Sequence, residues 1–217
     1  MDSLESLSAY NPQLAPQSWT DRDRELLAPF ASNLDGSVHA LKNLPPEVAG
    51  ALCSRASRAS ASLVKVLLDE YLKPIADGPD QALAAELMQT IAFLKEHGFN
   101  RIVNNQRAQQ FYAKWLSQYG DDSIAQMTGV HLVFDGLSQV ALKFAEDQRI
   151  GLEPIEQSTR YVSFAAKVAP TDGGVPKYRY YTPAPDLQKL GLLDEYRATL
   201  DNLFDTYVDL VPKLTAF

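Results

Sequence analysis

Between residues 130 and 144 the apolar side chains Val130, Val133, Phe134, Leu137, Val140, Ala141 and Phe144 return at intervals of 3, 1, 3, 3, 1 and 3. That spacing follows the α-helical turn and predicts one amphipathic helix, opening near Ser123 and ending before Gly151. Such a helix is held mainly by burying its apolar face, so the rest of the chain must supply a core. Proline and glycine cut that remainder into further helical runs. Residues 21–34 read as a short helical stretch closed by the turn signal Asp35-Gly36. Asn43-Leu44-Pro45-Pro46-Glu47 opens the next helix, with proline in its first turn and an acid near the positive end of the dipole. That helix weakens in the serine-rich stretch 54–62. Helical runs follow over 63–71, ended by Pro74; over 80–97, stopped by Gly98; and over 104–119, stopped by Gly120. A last helix, from 187 onward, repeats apolar residues at Leu193, Tyr196, Leu200, Leu203, Tyr207, Val211 and Leu214.

Two segments break the helical pattern. Residues 158–165 and 178–181 read as strands, and Asp172-Gly173-Gly174 supplies a turn that would make them a hairpin. The expected fold class is therefore α+β: a helix-rich body packed on a small, mainly antiparallel sheet that includes residues 158–165. Residues 1–18, polar and with two prolines, read as a flexible N-terminal arm, and 19–217 as the domain. The last helix carries no C-cap signal, which leads us to expect a domain truncated at its C-terminus.

A chain of 217 residues buries about 70% of its unfolded surface and needs no metal or disulfide staple. Its single cysteine, Cys53, excludes an intramolecular disulfide. The net charge of −7 argues against a broad grip on nucleic acid but leaves room for a local anion site built from two or three arginines. The first residues carry no secretory pattern and no run of about 18 apolar residues exists, so we expect a cytoplasmic protein with no membrane span.

Little in the chain supports metal or covalent chemistry. His39, His97 and His131 are isolated, without ligand spacing. Cys53 lies in the apolar run AGALC, where cysteine is usually a small hydrophobe, and there is neither a nucleophile elbow nor a phosphate loop. Arg55 and Arg58 share a helical face, either as solvated charges or as phosphate contacts. Gly120-Asp121-Asp122-Ser123 either caps the following helix or turns its N-terminus, with Ser123, toward a ligand. The stretch IEQSTRYVSF, residues 155–164, is the most suggestive. If extended, it places Glu156, Ser158 and Arg160 on one face. That face is either an edge turned to water or a nucleotide clamp. Arg160 offers a planar fork for phosphate, Glu156 accepts hydrogen bonds from ribose hydroxyls or base N–H groups, and Ser158 does either.

Glu156, Ser158, Arg160 and Tyr161 match the second half of the signature R-H-R-x-x-S-x-N-E-x-S-x-R-Y of the flavin-dependent thymidylate synthases, which this chain resembles. The first half departs: Gln148, Arg149 and Ile150 stand in place of Arg-His-Arg, Glu153 in place of serine and Ile155 in place of asparagine. Two stretches upstream, in the right order, extend the resemblance over roughly 50–165. Tyr119 to Gln126 is similar to the family's G-H-x-S/T-P-x-E-H, with Asp121 for histidine and Gln126 for glutamate. Cys53 to Ser57 is similar to A-A-R-V-S. The form resembled is a long, divergent one in which two such units share a chain, this being the N-terminal unit.

The resemblance implies methylation of dUMP to dTMP with methylenetetrahydrofolate, FAD and NADPH, without a cysteine nucleophile, in a homo-oligomer, a tetramer in the family. It implies that Glu156, Gln157, Ser158, Thr159 and Arg160 bind dUMP and that Ser57, Ser123 and Arg149 bind FAD. With two charges of the Arg-His-Arg group missing, flavin binding is weakened unless Arg55, Arg58 or a second unit compensates. A catalytically degenerate nucleotide-binding or structural unit and a helical interaction module are the alternatives.

Overall fold

A computed structural model describes residues 10–14, 17–98, 105–120, 129–147, 151–170 and 173–216. The chain is a helix-rich α+β fold with a two-stranded antiparallel sheet, divided into two compact units, Gln17–Gln157 and Met1–Pro16 with Ser158–Phe217.

The Gln17–Gln157 unit begins with α1 (Asp21–Leu27), fixed at its start by a capping box. The Thr20 hydroxyl accepts from Asp23 N–H at 3.1 Å, and the Asp23 carboxylate accepts from Thr20 N–H at 3.1 Å. Strand β1 (Val38–Leu41) follows, then α2 (Pro46–Arg55) with proline at its first position, as expected. Next, α3 (Leu63–Val66), capped by Ser62, passes without a break through a π-helical segment, Leu67–Leu72, into α4 (Lys73–Ala76). Pro74 therefore does not end the helix where the sequence predicts. Proline lacks the N–H that would reach residue 70 and crowds that carbonyl; the wider π turn, in which Lys73 N–H bonds Leu68 C=O, accommodates it. Helix α5 (Gln81–His97) starts on the Asp80 side chain and stops at Gly98, φ 61°. Helix α6 (Asn105–Tyr112) runs on as a π segment, Ala113–Gln118.

The predicted helix over 130–144 is corrected by the structure. Residues His131–Phe134 form strand β2, and within 129–147 only Gln139–Glu146 is helical, as α7; the predicted opening at 123–128 lies outside the described residues. Asp135 and Gly136, the latter at φ 73°, turn the chain between them. A short apolar run fits both periods, and here the antiparallel partner decides. The register pairs Val38 with Phe134, His39 with Val133, Ala40 with Leu132 and Leu41 with His131. One face of this ribbon sends His39, Leu41 and Val133 into the core; the other leaves Val38, Leu132 and Phe134 at 41%, 50% and 54% exposure. The core joins Leu26 and Leu27 of α1, Leu52 of α2, Val64, Leu67 and Leu68 of the π-containing helix and Ile91 of α5. Each such side chain contributes roughly 1.5–3 kcal/mol by leaving water.

In the other unit, α8 (Ala184–Leu190) and α9 (Leu193–Thr215) are separated by Gly191 in the left-handed region, so the single helix expected from 187 is two. The predicted strands 158–165 and 178–181 do not form. Only an isolated antiparallel bridge joins Val168 to Lys177. Ser158 diverts the backbone: its carbonyl accepts from Tyr161 and Val162 N–H at 3.3 and 3.0 Å, and its hydroxyl from Arg160 N–H at 3.2 Å. The segment around Tyr178 and Tyr180 is instead tied to α9. Tyr178 donates to Asp205 at 2.7 Å and Tyr180 to Asp201 at 2.9 Å. Two residues of extended chain advance about as far as four of helix, roughly 6 Å, so the two bonds fit side by side. Within the stretch read as an arm, Asn11 is buried, accepting from Thr182 N–H at 2.6 Å and donating to its carbonyl at 3.1 Å.

Candidate functional site

The signature-like stretch straddles the boundary of the two units. Glu156 and Gln157 end the first, and Ser158, Thr159 and Arg160 open the second stretch of the other. Glu156 is exposed, and the Gln157 amide donates to the Ala59 carbonyl at 2.6 Å. That bond, between residues 98 positions apart, ties the end of the stretch to the serine-rich loop after α2. Two segments that the sequence reading selected separately are thus joined within one unit.

Ser57 belongs to that loop. Its hydroxyl donates to Ser54 C=O at 3.2 Å and accepts from the Arg58 guanidinium at 3.1 Å. Ser57 and Arg58 therefore present a hydroxyl and a cation side by side near the surface, a donor set suited to the phosphate end of a nucleotide. Arg55 is committed elsewhere: its guanidinium pairs with Glu70 at 2.7 Å, which raises its pKa. Of the two arginines read as possible phosphate contacts, Arg55 is thus held by a carboxylate. Ser123 and Arg149 lie outside the described residues, as do Asp121 and Gln126.

In the other unit, Ser158 is spent on its turn, Thr159 is exposed, and Arg160 reaches into solvent with its guanidinium carbon 5.6 Å from the Tyr161 ring centroid. Among the described residues Arg160 makes no ion pair. Its fork is therefore open to an anion. Cys53 lies partly buried against the core, and burial pushes its thiol up in pKa, which disfavours the thiolate a nucleophile requires. No group of three or more metal-binding side chains occurs among the described residues. An open cleft of about 520 Å³, lined by Ala28, Lys42, Leu94, Lys95 and Gly98 among others, contains none of the residues the sequence selects.

The Gln157–Ala59 tether has no sequence signal, because a glutamine bonding a backbone carbonyl leaves no pattern. The spacing from Arg55 singles out Arg58 in the sequence, but its bond to the Ser57 hydroxyl is a matter of loop geometry.

The family model described as thymidylate synthase complementing protein matches residues 74–216. The chain belongs to this family. A UPF0159 protein of Chlamydia pneumoniae is 36% identical over 201 residues, which cover 93% of this chain and 34% of the relative. One from Chlamydia muridarum is 38% identical over 199 residues, 92% of this chain and 34% of the relative. A third, from Thermoplasma acidophilum, is 34% identical over 115 residues, 51% of this chain and 21% of the relative. The chain thus spans about a third of the length of the two chlamydial relatives. No solved structure gives a significant match. As a thymidylate synthase complementing protein family member, the chain carries the 155–161 stretch inside the matched region, whereas the loop around Ser57 lies before it.

Proposed function

We propose that this chain is the N-terminal unit of a long, divergent flavin-dependent thymidylate synthase, which methylates dUMP to dTMP with methylenetetrahydrofolate and NADPH. The observation that carries the reading is the coincidence of Glu156, Ser158, Arg160 and Tyr161 with half of the signature, inside the family match. Arg160, exposed and free of ion pairs among the described residues, binds the nucleotide phosphate through its fork. Glu156 accepts from base N–H or ribose hydroxyls, and Ser158 and Thr159 add hydroxyl contacts. Gln157 is a positioning residue, its amide anchored on Ala59. Ser57, Ser123 and Arg149 hold FAD, with Arg58 beside Ser57 adding charge at the phosphate end. Bound FAD, reduced by NADPH, supplies the hydride chemistry. The working form is a homo-oligomer in the cytoplasm.

A second reading, a catalytically degenerate unit that still binds nucleotide, is favoured by Gln148 and Ile150 in place of basic residues and by the engagement of Arg55 with Glu70. The visible spectrum of the purified protein, before and after FAD and dUMP, separates the two. A flavin band that survives desalting, followed by NADPH oxidation that depends on dUMP and methylenetetrahydrofolate, is expected of the synthase. Nucleotide binding without retained flavin or turnover, even with the remainder of a full-length protein present, replaces it with the degenerate unit. Arg160→Ala should abolish dUMP binding with an unchanged circular dichroism spectrum; unchanged affinity in that variant would refute the clamp.

A further inference from the structure

Residues 160–182 carry four basic side chains, Arg160, Lys167, Lys177 and Arg179, against one acid, Asp172, in a chain of net charge −7. Positive charge concentrated against the overall balance marks a place where an anion is favoured. All four lie near aromatic rings, Arg160 at 5.6 Å from Tyr161 and Lys177 at 5.9 Å from Tyr10, and the other two lie closer. Lys167 Nζ lies 4.3 Å from the Tyr178 ring centroid, and the Arg179 guanidinium carbon lies 4.6 Å from that of Phe164. The rings are themselves fixed. Tyr178 donates to Asp205 and stacks on Phe204 at 4.9 Å, and Phe164 N–H reaches the Tyr207 hydroxyl at 3.5 Å. The Val168–Lys177 bridge holds the two halves of the segment together.

Arg179 differs from the arginines of the other unit. Arg22, Arg24 and Arg55 each face a carboxylate. Arg179 has neither a carboxylate nor a hydrogen-bond acceptor among the described residues; its Nε, like that of Arg55, is sealed from solvent without a partner, but Arg55 holds Glu70. Burial lowers its pKa, yet a guanidinium stays charged in any ordinary buffer. A cation that has lost part of its water and gained no counterion is unfavourable by itself. Contact with the Phe164 ring holds the group in place but neutralises nothing. Sealing reaches only the Nε; the two outer amino groups are not sealed in this way, so the fork faces outward with its orientation already set.

We propose that Arg179, held against Phe164 and without a carboxylate partner among the described residues, anchors an oxyanion site for a phosphate or carboxylate group of a small molecule. The site lies apart from the 155–161 stretch and does not depend on the function proposed for it. Arg179 supplies the two-pronged contact.

The test uses the full chain labelled with ¹⁵N. The Arg179 Nε–H resonance, identified by its loss in Arg179→Lys, is followed during titration with inorganic phosphate and, separately, glutarate at constant ionic strength. A saturable shift with either anion, leaving the ion-paired Arg22 resonance in place, is expected, and the anion that binds better tells phosphate from carboxylate. Arg179→Met should weaken calorimetrically measured binding by roughly tenfold or more, the loss expected for charge-assisted hydrogen bonds. No shift, or a drift equal at Arg179 and Arg22 that never saturates, would overturn the site. If the methionine variant fails to fold, the titration of the unaltered chain decides alone.

Discussion

Asp23 joins three jobs in one carboxylate. It closes the capping box of α1, accepts from Lys73 Nζ at 2.8 Å and lies buried at the start of the core. Burial alone would raise its pKa, but the hydrogen bonds from Lys73 and Thr20 together pull it below the ordinary value. A depressed carboxylate stabilises the fold above its unfolded pKa, about 3.9, and that share is lost as pH falls through the lower folded value. Urea midpoints should therefore drop below about pH 4 in the native chain and less steeply in Asp23→Asn, which lacks the charge that Lys73 pairs with. Tyr180 titrates at the other end. Desolvation and the bond to Asp201 push it up to about 12. A raised pKa means that its contribution is complete below the unfolded value of about 10 and is lost as pH rises toward 12. Tyr178 and Tyr196 are also raised, so ultraviolet difference titration should show several late-ionising tyrosines, the latest of which moves earlier in Asp201→Asn. His39 is buried with Nδ1 3.3 Å from Ser32 C=O and Nε2 3.2 Å from Asp135. Asp135→Ala strands that ring nitrogen and should cost about 1–3 kcal/mol by denaturant unfolding.

Helix starts and stops were legible in sequence where a single residue decides them: Asp80 and Gly98 bracket α5, and Pro46 opens α2. What failed had two local solutions. His131–Phe134 satisfies both a helical and an alternating pattern, and only its distant partner Val38–Leu41 selects the strand. Ser158 carries a side chain that rewards a turn as well as a strand position, and the turn prevailed. Pro74 looked like a stop because a π turn has no sequence mark. Gly191 separates α8 from α9 at φ 69°, and a Cβ there would meet no atom within 4 Å. Gly191→Ala should thus lose about 1 kcal/mol through backbone conformation alone, read as a lowered thermal midpoint.

Across the whole molecule, family and helical content could be read from sequence, whereas the contacts of the candidate residues could not. Those residues are scattered from Ser57 to Arg160, and among the described residues the bond from Gln157 to Ala59, which ties the serine-rich loop to the 155–157 end, spans 98 positions. Stability in the Gln17–Gln157 unit rests on a core that draws on α1, α2, α5 and the π-containing helix at once. Leu67→Ala, at a fully buried position, should cost about 2–5 kcal/mol and lower the unfolding midpoint measured by tryptophan fluorescence, since Trp19 lies in the same core. The ribbon's outward row of Val38, Leu132 and Phe134 bears on how the purified chain behaves on a column. Sulfate strengthens the burial of such surface, so the chain should bind a phenyl resin at low ammonium sulfate and elute late. Replacing Leu132 and Phe134 by threonine, which keeps strand preference, should shorten that retention without moving the unfolding midpoint by more than a small amount.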